Sequence, residues 1–124
     1  MRKLHTGSKV GKVWGTTTPI FQSASTEVQS LYAKKGFRCS RHCHTSKSNL
    51  FLVISGKLKV TVEKDGLEDE VFLGPGEMTV VSPGLYHEFE ALMNSHLIEL
   101  YWVELNPDDI TRKDQGGVSK KPRK

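Results

Sequence analysis

The chain has 124 residues, enough for one domain with its own hydrophobic core and too few for two ordinary ones. It carries a net charge of +4 and is 36% hydrophobic, and no apolar run approaches the ~20 residues of a membrane-spanning helix. The first 12 residues hold +4 and the last 13 hold +5, so residues 13–111 carry −5, and the basicity belongs to the ends rather than to a nucleic-acid-binding face.

In chain order, the opening Met1-Arg2-Lys3-Leu4-His5 runs into polar residues without the apolar stretch of a secretory signal. Residues 1–25 are read as an N-terminal arm that partly covers the domain behind them. Turn signals then recur at short intervals, among them Lys35-Gly36, Ser55-Gly56, Asp65-Gly66, Gly74-Pro75-Gly76, Pro83-Gly84 and Asn106-Pro107. Between them the pattern predicts strands over 27–34, 37–44, 49–54, 57–63, 68–73, 78–81, 86–92 and 96–105, with no segment of helical period. Short strands at regular spacing predict an all-β sandwich or barrel over residues 26–106. Residues 107–124 form a C-terminal segment, and its last stretch, Lys120-Lys121-Pro122-Arg123-Lys124, is read as a solvated tail.

Within the 37–44 strand, alternation puts His42 and His44 on one face and Cys39 and Cys43 on the other. Strand residues four apart lie roughly 13 Å from each other, beyond disulfide reach, so both cysteines are free thiols, as in a reducing, cytoplasmic compartment. The same parity turns Ser40, Asn49, Phe51, Val53, Leu58, Val60, Val62, His87 and Phe89 inward, and Lys57, Lys59, Thr61, Glu63, Glu88 and Glu90 outward. One strand breaks the rule. Leu50, Leu52 and Ile54 are apolar on the outward side as well, so a second subunit or the N-terminal arm is expected to cover them. His5 and His96 stand apart from the other histidines, each expected as a solvated side chain in a terminus or loop, and Trp14 and Trp102 are expected as core or interface aromatics.

The histidines fall in two patterns. The first is Gly36, five residues, His42-Cys43-His44, four residues, Asn49, six residues, Gly56; the second is Gly76, five residues, Ser82-Pro83-Gly84, two residues, His87. They resemble the two sequence motifs of the cupin superfamily, in the right order and at the right spacing. The resemblance implies a cupin double-stranded β-helix, or jelly-roll barrel. It also implies a divalent transition metal, such as zinc, iron, manganese, nickel or cobalt, held by His42, His44 and His87. The family places a glutamate ligand where this chain has Asn49, so Asn49 becomes a fourth ligand through a weaker amide oxygen or a supporting group beside the metal. A second departure is Ala91, where the family often has asparagine.

The flanks narrow the resemblance. Lys12-Val13-Trp14-Gly15, Val53-Ile54-Ser55-Gly56, Leu97-Ile98-Glu99-Leu100 and Asp108-Asp109-Ile110-Thr111-Arg112 are similar to the cupin domain of mannose-6-phosphate isomerases, which also occurs fused to mannose-1-phosphate guanylyltransferases. That implies metal-dependent aldose–ketose isomerisation of a sugar or sugar phosphate. Glu99, a carboxylate in an otherwise apolar strand, is then the candidate proton-transfer base, and Arg112 the candidate contact for an anionic group. Those relatives carry arginine directly after the third histidine, where this chain has Glu88. Two other readings stay open: a three-histidine non-haem iron dioxygenase, and a non-catalytic module that binds a small molecule such as a carbohydrate.

Overall fold

Alternation of apolar and polar residues runs through most of the chain, and the computed structural model, which describes residues 1–104, 108–113 and 115–119, realises it as nine strands and, among those residues, no helix. The strands are β1 (Val10–Lys12), β2 (Gly15–Gln22), β3 (Thr26–Ala33), β4 (Ser48–Ser55), β5 (Leu58–Lys64), β6 (Leu67–Leu73), β7 (Met78–Val81), β8 (Tyr86–Ala91) and β9 (Ser95–Trp102). They form a six-stranded sheet in the order β1-β2-β3-β9-β4-β7 and a three-stranded sheet in the order β6-β5-β8. Every pairing is antiparallel, so each strand can bury one face and solvate the other.

The inner faces of the two sheets make the core of the jelly roll. Leu31, Phe51 and Leu97 of the larger sheet pack in one cluster with Leu58, Val60 and Phe89 of the smaller, each no more than 2% exposed. Fully burying side chains of this size contributes about 1.5–3 kcal/mol each. Asp65 and Gly66 both have positive φ, 54° and 77°, which matches the twist of the β5–β6 hairpin they close. At Gly56 the φ is +94°, and a Cβ there would lie 2.3 Å from Ser95 Oγ, so only glycine lets β4 turn into β5 beside the start of β9.

Several expectations change. The N-terminal region contributes β1 and β2, two strands at the edge of the larger sheet. They lie beyond β3 and β9 from β4, so they do not lie over Leu50, Leu52 and Ile54. The sequence reading missed β2 because Pro19 interrupts it; the strand accommodates the proline at a bulge between Pro19 and Phe21. Residues 37–44 are not a strand. They touch β8 through two isolated bridges, Arg38 to Glu90 and His42 to His87. Without a continuous ladder strict parity fails there, and Cys39 turns into the core at 7% exposure, where its sulfur accepts a hydrogen bond from Phe89 N–H. Thr61, expected to meet solvent, lies between Glu70 and Glu88 in register and is buried. The boundary expected at 106–107 and the tail 120–124 lie outside the described residues.

On the outer face of the larger sheet, Phe21, Val28, Leu100, Leu50 and Val80 stand in one register row across five strands, and Ile98, Leu52 and Met78 in the next. Phe21, Val80 and Met78 are each at least half exposed. No helix of the described residues is long and apolar enough to cross a membrane.

Candidate metal centre

His87 sits at the start of β8, paired with Val62 and pointing into the core at 1% exposure. His42 is brought opposite it by two reciprocal backbone hydrogen bonds, His42 N to His87 O at 3.1 Å and His87 N to His42 O at 2.8 Å. Residues paired in this way project to the same face. The carbonyl of His44 is held by Gly84 N–H at 2.7 Å, and Gly84 reaches it from a φ of +88° in the Ser82-Pro83-Gly84 turn. The three rings lie 4.6, 5.1 and 5.4 Å apart between centroids, and one ligand nitrogen from each falls within 4.8 Å of the others.

The rings are set to offer lone pairs. Nδ1 of His42 lies 2.8 Å from the Ser40 carbonyl and Nδ1 of His87 lies 3.0 Å from the Leu85 carbonyl. A carbonyl only accepts, so Nδ1 carries the proton in both rings and Nε2 is left bare. Burial lowers the pKa of His44 to about 4, with the neighbouring His42, His87 and Lys47 adding to the effect. His87 is also shifted down by burial, against the opposing effect of the hydrogen bond it donates to the Leu85 carbonyl. Both are neutral imidazoles at neutral pH.

Among the described residues the buried side-chain atoms without a hydrogen-bond partner are His44 Nε2, His87 Nε2 and Asn49 Oδ1. A buried polar atom left unpaired is costly, and His87 Nε2 and Asn49 Oδ1 are acceptors. A divalent cation among the three clustered histidines would take up such lone pairs, so the residues present fit that ion. Asn49 projects inward from β4 at 1% exposure; its Nδ2 donates to the Leu100 carbonyl at 3.4 Å and also supports Glu99, while its oxygen has no such bond.

Glu99 points inward from β9, not to solvent, and is 8% exposed. Burial raises its pKa to about 7, opposed by hydrogen bonds from Tyr101 and Asn49. Tyr101, two residues along the same strand, stands edge-on to His44 at 5.0 Å and is itself pushed up by burial and by Glu99. Glu99, Tyr101 and His42 line a cavity of about 450 Å³ whose apolar wall includes Trp14 and Phe89, 5.0 Å apart and edge to face. Thr17 and Gln29, on the neighbouring strands β2 and β3, also line it, and Thr17 Oγ1 donates to Gln29 Oε1.

The structure therefore brings His42, His44 and His87 together, and sets Asn49 beside Glu99, which lines one cavity with His42. Arg112 is exposed and does not line this cavity. His96 is not a solvated loop residue: it lies in β9, stacked on Tyr32 at 4.2 Å and bonded to Ser30 Oγ at 2.8 Å. Sequence reasoning missed Tyr101, which strand parity from Glu99 would have found, and missed Thr17 and Gln29, which depend on the unforeseen β2.

A model of the cupin domain family matches residues 30–104. No curated protein matches the sequence. Among solved structures, KdgF from Halomonas sp. superposes with a TM-score of 0.69 at 17% identity, covering 79% of this chain and 89% of its own. The capsular polysaccharide assembling protein CapF from Staphylococcus aureus gives 0.68 at 20% identity over 86% of this chain. A variant of oxalate decarboxylase from Bacillus subtilis gives 0.69 at 16% over 78%. The chain spans 31% of that CapF chain and 27% of that decarboxylase chain, so what it shares with them is a domain. With the family match over most of its length, the all-antiparallel jelly roll and the clustered histidines, this chain belongs to the cupin domain family.

Proposed function

We propose that the protein is a metal-dependent, isomerase-like cupin acting on a sugar or sugar phosphate, in the manner of the cupin domain of mannose-6-phosphate isomerases. One observation carries this reading: a buried carboxyl, Glu99, with a pKa near neutrality lines the same cavity as His42, one of the three clustered histidines. His42, His44 and His87 would hold the ion, with Asn49 Oδ1 as the fourth donor. When bound, the metal supplies Lewis-acid polarisation of a carbonyl oxygen. Glu99, near half-ionised at neutral pH, takes a proton from one carbon and returns it to the next, while Tyr101 and Asn49 stabilise its carboxylate form. Trp14 and Phe89 exclude water from one side of the cavity. Arg112 would meet an anionic group only if its segment moves to the cavity mouth.

The test is thermal stabilisation by free and phosphorylated aldoses and ketoses, with metal and with chelator, followed by NMR detection of interconversion. Stabilisation that needs metal, together with turnover, supports the reading; stabilisation that survives chelation refutes it in favour of a binding module. A second reading rests on the absence of any acidic residue from the ligand cluster among the described residues. A neutral three-histidine face suits ferrous iron and oxygen chemistry, and substrate-dependent oxygen uptake would select it.

We also propose that the chain forms a homodimer through the apolar rows on the outer face of the six-stranded sheet. Their central positions, Val28, Leu100, Leu50, Ile98 and Leu52, carry no charge and can match a copy of themselves across a two-fold axis. Leu100→Glu should yield a monomer by analytical ultracentrifugation; a wild type that is already monomeric at micromolar concentration overturns the dimer. Two unpaired thiols suit a cytoplasmic location.

A further inference from the structure

Two of the three clustered histidines stand on a segment that is not part of any strand. Residues 34–47 contain no strand, and between Phe37 and His44 the backbone meets β8 through separate hydrogen bonds at Phe37, Cys39 and His42 rather than through a continuous ladder. Arg41, immediately before His42, points the opposite way, onto the outer face of the three-stranded sheet. There its Nη1 lies 2.7 Å from Glu63 Oε1 and 2.7 Å from Glu68 Oε1, and its Nη2 2.5 Å from Glu88 Oε1. These carboxylates come from β5, β6 and β8, so one guanidinium spans all three strands of the sheet.

The sheet beneath is built for that cation. Glu63 and Glu68 are directly opposite each other in the β5–β6 register, a like-charge placement that destabilises a bare antiparallel pair. Glu88 follows His87, and its other oxygen takes Arg38 Nη1 at 3.2 Å. A planar fork with five donors can serve three carboxylates at once; an ammonium is a point charge without that geometry.

We propose that Arg41 is a positioning residue of the metal centre: by clasping Glu63, Glu68 and Glu88 it seats residues 37–44 on the three-stranded sheet and sets where His42 and His44 stand relative to His87. Residue 41 is fixed outside the sheet and residue 42 projects inside it, so the clasp constrains the neighbouring backbone directly. The inference rests on the metal-binding reading and adds a residue that never touches the ion.

The test compares wild type, Arg41→Met, Arg41→Lys and a triple variant, Arg41→Met with Glu63→Gln and Glu68→Gln. Zinc affinity is read by competition with a chromogenic chelator, cobalt geometry by its visible absorption, and amide hydrogen exchange at His42 and His87 in the metal-free proteins. Arg41→Met should bind zinc about 10- to 100-fold more weakly, the range typical when a group supporting a metal ligand is lost. Its His42 amide should exchange faster, and Arg41→Lys should recover only part of both. The triple variant removes the carboxylate repulsion, so its melting temperature should return while zinc affinity stays low. It also decides the question if Arg41→Met alone does not fold. Wild-type affinity and exchange in Arg41→Met, or restored affinity in the triple variant, would overturn the clasp. If wild type binds neither metal, the metal reading fails, and hydrogen exchange still reports on Arg41.

Discussion

Asn49→Glu tests the centre at its most unusual position. Asn49 is 1% exposed, and its oxygen is one of three buried polar side-chain atoms without a partner among the described residues. In the metal-free protein the added carboxyl and methylene would sit in a close-packed site beside Glu99, which burial already shifts to about 7. The new group should stay protonated at neutral pH and lower stability by about 1–3 kcal/mol through overpacking and altered hydrogen bonding. With metal present the sign reverses, because a carboxylate adjacent to the ion offsets part of its double positive charge. A tenfold tighter site corresponds to about 1.4 kcal/mol of extra binding energy. In a domain of this size each kcal/mol moves the melting temperature by roughly 4 °C, so at equal free metal the metal-induced shift should grow by about 5 °C. Differential scanning fluorimetry across a buffered zinc series reads both effects. Equal or weaker binding by Asn49→Glu would show that its side chain does not face the ion, and would remove Asn49 from the ligand set.

The remaining predictions concern protons, the core and the ligands. Glu99 has a folded pKa near 7 against an ordinary value of 4.5, so the native state holds a proton that the unfolded chain releases first. Its contribution is full below pH 4.5 and is lost as pH rises through 7. Relative to wild type, Glu99→Gln should therefore gain stability across that window in chelator, and parallel stability curves would refute the raised pKa. His44 acts in the opposite direction: with its folded pKa near 4, the unfolded state takes up protons below 6.5 that the native state refuses, so stability falls as pH drops from 6.5 to 4. His44→Gln should flatten that limb in urea titrations. Phe51→Ala empties a site 1% exposed, between Phe89 at 5.8 Å and His87 at 6.2 Å, and should cost about 3–5 kcal/mol in chemical denaturation.

Much of this molecule was legible from local pattern. The alternation Phe51-Leu52-Val53 and Leu58-Lys59-Val60 depends only on the two-residue repeat of a strand, so β4 and β5 and their inward faces could be read directly. The spacing of His42, His44 and His87 around two glycine-bearing turns likewise pointed to one cluster. Pro19 hid β2 because a proline in a strand is tolerated only where a bulge or an edge frees its missing N–H, and neither is visible in the sequence.

What the sequence by itself determined, then, is the all-β class and the apolar faces, which follow from residue type and short-range period, and the set of histidines, which the resemblance to the cupin motifs implies. Tertiary structure alone decided the rest. His42 faces His87 because of two backbone bonds to β8 rather than a strand of its own, and Cys39 turns inward once that ladder is interrupted. Glu99 is raised to about 7 by the burial that β3 and β4 impose on both sides of β9. The clasp of Arg41 needs three carboxylates 22, 27 and 47 residues away. Pairings of such separation depend on strand order and register, which no local period encodes.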